Sequence, residues 1–556
     1  MRRITETFWN GGILTQDRIA VLMKKARLVI TYVLIITPIL QARSSRPLSN
    51  WNKSGLNARS IEQVLTLPEG QVDLATAVLI VSEQWSDMVY GRKYLERLDN
   101  MALEIRERIR QNKLPFNFKA IPIINDYLFN ELGFEALTEA TDPNSLFLHT
   151  VLDKKKGYCL SLSVLYLSIA ERLDMPVYGV VVPGHFFVRY DDGRRRFNIE
   201  TTSGGGTAPD ENYIEKFNVP SNRTDSVYMK NLNKIQTLGC FFNNLGNSYS
   251  EVGNMKSAQL ALERSVQINP TLSESRANLG NIYLQQNRVS DAIKEYKYAL
   301  QINPNDSKTH NGLGNAYSEK DWNSYAVSEY KEAIRLDPNF VEAYKNLAFT
   351  YRKQEMFNLA IMQLRQALIL KPEDTDCYTQ IGDLFRQMEH YQQAILEYTK
   401  ALRIDSEFID AHYGLALCYN KEGRTNDEIS QYQRILALKP DMYTALFNLG
   451  NVYFEQEKYN EAIEQYNKAV QIEPHEAMIY YNIGAAYSNK SDYENAVAAY
   501  LKVIEIDPSV GDAHYRLAYS YYQLRKYDLS WKHIKKAQEL GIEIPDDLLE
   551  AIKSQM

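Results

Sequence analysis

GYCLSLSVLYLSIAERLDMPVYGVVVPGHFFVRYDDGRRRFNIE, residues 157–200, decides the fold of the N-terminal half of this chain. Its first third is a helical run in which Leu160, Leu162, Val164, Leu165, Tyr166, Leu167, Ile169, Ala170 and Leu173 leave almost no polar face. A helix apolar all round belongs inside a core. Cys159 stands at its start, where unpaired backbone amides and the helix dipole favour a thiolate. Beyond it, 177–182 and 185–190 are β-rich runs, and Asp192–Gly193 is a hairpin signal before the return over 195–200. A two-residue loop pairs Asp191 with Arg194 and sets His185 directly opposite Glu200, with Cβ atoms roughly 4.5–5.5 Å apart. Side chains alternate along a strand, so Phe186, Val188, Tyr190, Phe197 and Ile199 share one face. His185, Phe187, Arg189, Arg196, Asn198 and Glu200 share the other. A histidine with a carboxylate partner, close to a helix-terminal cysteine, supplies the parts of a thiol nucleophile with its base and orienting acid.

These motifs, GYCLSLSVLYLSIAERL, PVYGVVVPGHFFVRY and FNIETT, resemble the core of the transglutaminase-like (papain-like thiol) superfamily. The chain is most similar to its bacterial branch with a helical N-terminal extension and tetratricopeptide repeats. The resemblance implies an α+β domain in which Cys159, His185 and Glu200 are catalytic. Glu200 stands where the family usually has Asp, and its extra methylene must be accommodated by the backbone.

The chain has 556 residues, 45% hydrophobic and 24% charged, with a net charge of −6. That balance is ordinary for a soluble protein and argues against nucleic-acid binding, since no basic run interleaved with aromatics occurs. Four scattered cysteines, Cys159, Cys240, Cys377 and Cys418, show no disulfide or metal spacing. Lys24, Lys25 and Arg27 precede an apolar run over 28–40, too short to span a bilayer and suited to a secretory leader or membrane anchor. Residues 1–42 are therefore expected to be a signal peptide or anchor, placing the protein outside the cytoplasm or on a membrane; otherwise it is cytoplasmic. Residues 43–60 read as a polar linker, and 61–134 as helices without a motif of their own. Asp142 to Ser145 reads as a cap for a helix entering at Leu146.

After Glu200, TTSGGGTAP (201–209) lacks a phosphate-binding pattern and reads as a mobile rim, and 210–236 as a connector. From Gly239 a 34-residue period begins, counted by Pro270, Pro304, Pro338, Pro372, Ser406, Pro440, Pro474 and Pro508. A small residue and an aromatic three apart mark each first helix, from Gly246/Tyr249 to Ala518/Tyr521. The aromatic is expected to fill the gap opposite the small residue. Nine tetratricopeptide repeats over 237–544, with a helical tail over 545–556, give an all-α right-handed superhelical solenoid. Two residues before the small marker lie Asn244, Asn278, Asn346, Asn448 and Asn482. Their carboxamides match a peptide unit and form a candidate groove for protein or peptide ligands; Asn247, Asn281, Asn315 and Asn451 add to it. The alternative is that these asparagines bridge neighbouring repeats.

The expected fold is thus an α+β transglutaminase-like domain with a helical N-terminal subdomain over 61–236, followed by the repeat array. The expected function is thiol-dependent acyl transfer or amide hydrolysis on a polypeptide recruited by the repeats, without a cofactor or metal. The backbone amide of Cys159, with Asn144 as a second donor, is the expected oxyanion site. Two other readings stay open: an interaction scaffold with an idle thiol domain, and Cys159, His185 and Glu200 as zinc ligands.

Overall fold

The computed structural model describes residues 53–86, 88–137, 142–219 and 227–556. The expected leader over 1–42 and its apolar run 28–40 lie outside them. Among the described residues, no helix is long and apolar enough to cross a membrane. The chain divides into two compact units, one ending at Leu272 and the other running over Ser273–Met556.

The first unit is built around the apolar helix read from the sequence. It opens with α1 (Ile61–Leu65), α2 (Leu74–Trp85), α3 (Gly91–Gln111) and α4 (Ile121–Asn125). Next come β1 (Glu135–Ala136), α5 (Leu148–Lys154), β2 (Lys156–Gly157) and α6 (Cys159–Arg172). The expected cap at Asp142 is a 3₁₀ turn, Pro143–Leu146, and α5 begins only after it. β1 and β2 form a short parallel pair. Gly157 is required before α6, because a Cβ there would lie 2.7 Å from Ser161 Oγ and 2.8 Å from Val151 Cγ2. The helix start is then tied down by the Tyr158 amide donating to Ser161 Oγ at 2.8 Å.

Nearly all of α6 is buried. Its C-terminal Arg172 is fully enclosed and donates to Asp99 at 2.7 Å, with Asp73 at 3.7 Å. A charge buried without such partners would be costly. The expected linker is shorter than its sequence suggests: Lys53 pairs with Glu171 on α6 at 2.5 Å, and Ser54–Asn57 is a 3₁₀ turn.

Three antiparallel strands follow, β3 (Val177–Val182), β4 (His185–Asp191) and β5 (Arg196–Ile199), in that spatial order. The second hairpin corrects the expected register. Asp191 pairs with Arg196 rather than Arg194, and Val188 with Ile199, so the loop holds four residues, 192–195. The Asp192 carboxylate causes this by accepting the amides of Arg194 at 2.9 Å and Arg195 at 2.7 Å. A slip of two residues, unlike a slip of one, leaves every side chain on its expected face. Carried one residue further, the observed register levels Glu200 with Phe187, so the acid lies diagonal to His185 rather than opposite it.

The stretch 210–236 is no simple connector. Residues Asp210–Lys216 form α7, held to the sheet by the fully buried Arg189, which donates to Asp210 at 2.7 Å and to the Met229 carbonyl at 2.8 Å. Leu232 bridges to Gly179 at the sheet edge, and α8 (Lys234–Glu251) and α9 (Met255–Ile268) make the first repeat. The compact unit therefore runs past the expected boundary at 236 and contains this repeat. Trp85 packs its ring 4.8 Å from both Phe147 and Tyr249, and Phe147 meets Phe241 edge-on at 6.2 Å.

The second unit is a solenoid of eight further helix pairs at a 34-residue period, closed by the helix Asp546–Lys553, whose Ile552 packs on Ala518 and Ile534. Each marker glycine makes room for a tyrosine of the second helix, which corrects the expected pairing with the aromatic three residues on. A Cβ at Gly280, Gly314, Gly382, Gly450 or Gly484 would lie 2.5 to 2.8 Å from Tyr296, Tyr330, Tyr398, Tyr466 or Tyr500 respectively. Those five rings are among the most completely buried side chains of the chain.

Candidate active site: a thiol, an imidazole and a carboxylate

Cys159, at the start of α6, is half-buried, while Cys240, Cys377 and Cys418 are buried. His185 opens β4 after the tight turn at Pro183 and Gly184, where Gly184 takes φ +72°. That turn puts the imidazole at the end of the sheet, where it lines one cleft with Cys159 and feels the thiol electrostatically. On its other side, His185 Nε2 lies 2.8 Å from Glu200 Oε2. With Nε2 given to the acid, Nδ1 is the ring nitrogen left to face the sulfur.

The diagonal placement of Glu200 explains its length. Diagonal neighbours in an antiparallel pair sit roughly 7–8 Å apart, and the extra methylene of a glutamate covers the offset. Its carboxylate is held from every side. Thr202 donates its amide at 3.1 Å and its hydroxyl at 2.6 Å to Oε1, and Tyr213 donates to Oε2 at 3.2 Å. Phe217 lies flat on the imidazole, centroids 4.8 Å apart and planes within 4°.

Electrostatics follow from these contacts. Burial works against a charged imidazole, but the hydrogen bonds and charges of Cys159 and Glu200 outweigh it and raise His185 to about 9. Burial likewise disfavours a charged Glu200, yet His185 and Thr202 hold its carboxyl below the usual range. The site therefore carries its proton on the imidazole at neutral pH. By contrast, burial pushes the thiols of Cys377 and Cys418 up to about 12.

Three residues here were missed by sequence reasoning. Thr202 lies in the loop read as a mobile rim, which is pinned: Asn125 donates to the Gly205 carbonyl at 3.0 Å, and Gly205 takes φ +83°. Tyr213 and Phe217 lie in the stretch read as a connector; their i, i+4 aromatic spacing was the available signal. The structure separates Asn144 from the role expected of it. Its carboxamide donates to Asp142 at 2.8 Å and accepts from Trp85 Nε1 at 2.9 Å, and Asn144 is not among the residues lining the cleft at Cys159. For the zinc reading, no group of three His, Cys, Asp or Glu side chains among the described residues is placed to hold a metal ion.

An open cleft of about 460 Å³ lies over Cys159 and His185. One wall holds Tyr158 and Thr202, and the other is α8 of the first repeat, through Asn244, Asn247, Ser248 and Glu251. Of the five groove asparagines, Asn244 thus lines the thiol cleft. Asn346, Asn448 and Asn482 instead donate to Asn311, Tyr413 and Asn451 of the preceding repeat, at 3.0, 3.1 and 2.9 Å. Asn281, Asn315 and Asn451 accept the hydroxyls of Tyr296, Tyr330 and Tyr466 at 2.6 to 2.7 Å. Asn278 occupies the equivalent half-buried position on the helix Ser273–Gln285.

Residues 92–238 match the model of the transglutaminase-like superfamily. Tetratricopeptide-repeat models match 241–272, 280–321, 307–340, 329–362, 382–423, 450–491 and 477–510. The chain therefore carries a transglutaminase-like domain followed by tetratricopeptide repeats, and such repeats support interaction with peptide partners.

Among particular proteins, it is similar to a UPF0162 protein of Xylella fastidiosa, 32% identical over 124 residues, covering 22% of this chain and 43% of that one. A UPF0162 protein of Pseudomonas aeruginosa is 26% identical over 128 residues, covering 23% and 47%. The match thus spans less than half the length of either relative. Human F-box only protein 21 is 28% identical over 98 residues, 17% of this chain and 16% of that one. Among solved structures, the protein MamA is 25% identical over 30% of this chain and 92% of its own, with a TM-score of 0.29. YrrB, described as a tetratricopeptide protein with an unusual peptide-binding site, is 23% identical over 33% and 94%, also at 0.29.

Proposed function

We propose that the domain is a thiol-dependent acyltransferase or amidohydrolase acting on a carboxamide or peptide bond of a polypeptide that the repeats recruit. The observation that carries this reading is Cys159 and His185 lining one cleft, with His185 bonded to Glu200 and the imidazole raised to about 9. Cys159 Sγ attacks the carbonyl carbon while its proton resides on His185. The backbone amide of Cys159, among the first-turn amides that have no partner within the helix, faces the developing oxyanion. The carbon–nitrogen bond then breaks, and His185 delivers its proton to the departing amine, leaving a thioester on Cys159. Water or an amine attacks that thioester as His185 takes the proton back, which releases an acid or a new amide and restores the thiol. Glu200 fixes the imidazole through Nε2 and stabilises its charged form throughout.

The groove of the solenoid serves recruitment. Because Asn346, Asn448 and Asn482 already bridge neighbouring repeats, affinity there rests more on shape and on the remaining lining residues than on a free carboxamide ladder.

A peptidyl vinyl sulfone carrying a glutamine-like side chain tests the reading. The expected result is one adduct, on Cys159, lost in Cys159→Ser and strongly reduced in His185→Ala. No adduct, or adducts spread over several cysteines, overturns it.

A further inference from the structure

Helix α8 belongs to the first repeat, yet it packs as part of the thiol unit and forms one wall of the Cys159 cleft. Its position there is fixed by the tilted contact of Trp85 with Tyr249 and the edge contact of Phe147 with Phe241. The wall it presents is polar, consisting of two carboxamides, a hydroxyl and one carboxylate. Asn244 accepts from Asn243 Nδ2 through its Oδ1 at 3.3 Å, which turns its own amide donors to other partners. Asn247 and Glu251 are exposed, and Glu251 makes no ion pair among the described residues. Apart from Tyr158, the other ionisable groups lining the cleft are Cys159 and His185, and the imidazole is paired with Glu200. Glu251 is thus the one uncompensated charge of the lining, and it is negative.

We infer that α8 is the substrate-reading wall of the thiol site: Asn244 and Asn247 hold the main chain beside the reacting carbonyl, and Glu251 takes a basic side chain next to it. The substrate class is then a polypeptide with a lysine or arginine flanking the reacting carboxamide. The inference rests on the thiol reading above and adds its specificity. A carboxamide offers an acceptor and donors matched to a peptide unit. A carboxylate at the mouth of an open cleft favours a cation over an anion by several-fold at low ionic strength.

The test uses the full chain and three thiol reagents of different charge: trimethylammonioethyl methanethiosulfonate, sulfonatoethyl methanethiosulfonate and neutral iodoacetamide. Rates at Cys159 are read by mass spectrometry for the wild type, Glu251→Gln and Glu251→Lys. With each rate normalised to that of iodoacetamide on the same variant, the cation-to-anion rate ratio is expected to fall about fivefold in Glu251→Gln and further in Glu251→Lys. A ratio indifferent to Glu251, while Cys159 still reacts selectively, overturns the specificity inference and leaves the thiol reading standing. Loss of selectivity for Cys159 in the wild type overturns both. As a second readout, binding of otherwise identical glutamine peptides to Cys159→Ala protein should favour an arginine over a glutamate neighbour, and Asn247→Ala should weaken both.

Discussion

Replacing Glu200 by Gln isolates the charge of the acid from its shape. The raised position of His185, about 9 against an ordinary 6.5, amounts to roughly 3 kcal/mol of preference for the imidazolium. Cys159 and Glu200 share that preference, so losing one negative partner removes about half of it, and the imidazole falls by about one pH unit. Gln can still accept from Nε2, so the ring stays in place. Its amide must then face the two donors of Thr202, at a stability cost of about 1–2 kcal/mol. Titration of the His185 ring by NMR in histidine-labelled protein reads the first effect, and thermal unfolding reads the second. The sign is fixed by linkage. A raised imidazole supports the fold fully below about 6.5, and that support is lost as pH rises through about 9. Glu200, held below 4.5, supports it above that value and loses its contribution as pH falls through its lowered position. Acyl transfer should accordingly decline as pH rises through about 9 in the wild type and about one unit earlier in Glu200→Gln. An unmoved His185 titration in the variant would refute the assignment of Glu200 as the imidazole's electrostatic partner.

Three further outcomes follow from particular contacts. Gly205→Ala combines a positive φ with a Cβ 2.3 Å from Asn125, so it should cost about 2–3 kcal/mol and slow Cys159 alkylation by pulling Thr202 away from Glu200. Arg189→Met leaves Asp210 to Arg196 and Asn198 and the Met229 carbonyl without its donor, loosening α7; a loss of about 1–3 kcal/mol is expected, with proteolysis appearing near 204–217. In the last repeat, His514 Nδ1 meets His533 Nδ1 at 3.0 Å, where equivalent histidines meet Glu329 and Gln431. Burial, His514 and Lys532 hold His533 down to about 4. Its contribution is complete above about 6.5 and lost as pH falls towards 4. His533→Gln should leave stability at pH 8 unchanged and add about 1 kcal/mol at pH 5, allowing for partial exposure, as read by pH-dependent thermal unfolding.

The repeat array was legible because each pair buries its face on immediate neighbours, so a 34-residue period in Gly and Tyr carries the fold directly. Which ring each glycine admits was not, because the partner tyrosine lies sixteen residues away on the second helix. The faces of the β4–β5 hairpin were legible for a different reason: side-chain alternation survives a slip of two. The loop length was hidden because the Asp192 side chain captures two amides that a simple Asp-Gly turn would leave to the backbone. Asn144 is held away from the thiol cleft by its bonds to Asp142 and Trp85, the latter invisible at a separation of 59 residues. Tyr213, Phe217 and the α8 wall escaped because 201–236 has little periodicity and the first repeat looks like all the others. Its difference lies in what it packs against.

The account turns on one thiol being unlike the other three. Competitive labelling of the folded protein with limiting iodoacetamide at pH 7, quantified for each cysteine by mass spectrometry, measures that directly. Cys159 should be alkylated at least about a hundredfold faster than Cys377 and Cys418, whose buried thiols titrate near 12, and this advantage should collapse in His185→Ala. Equal, slow labelling of all four cysteines, or selectivity at Cys159 that survives loss of the imidazole, would contradict it.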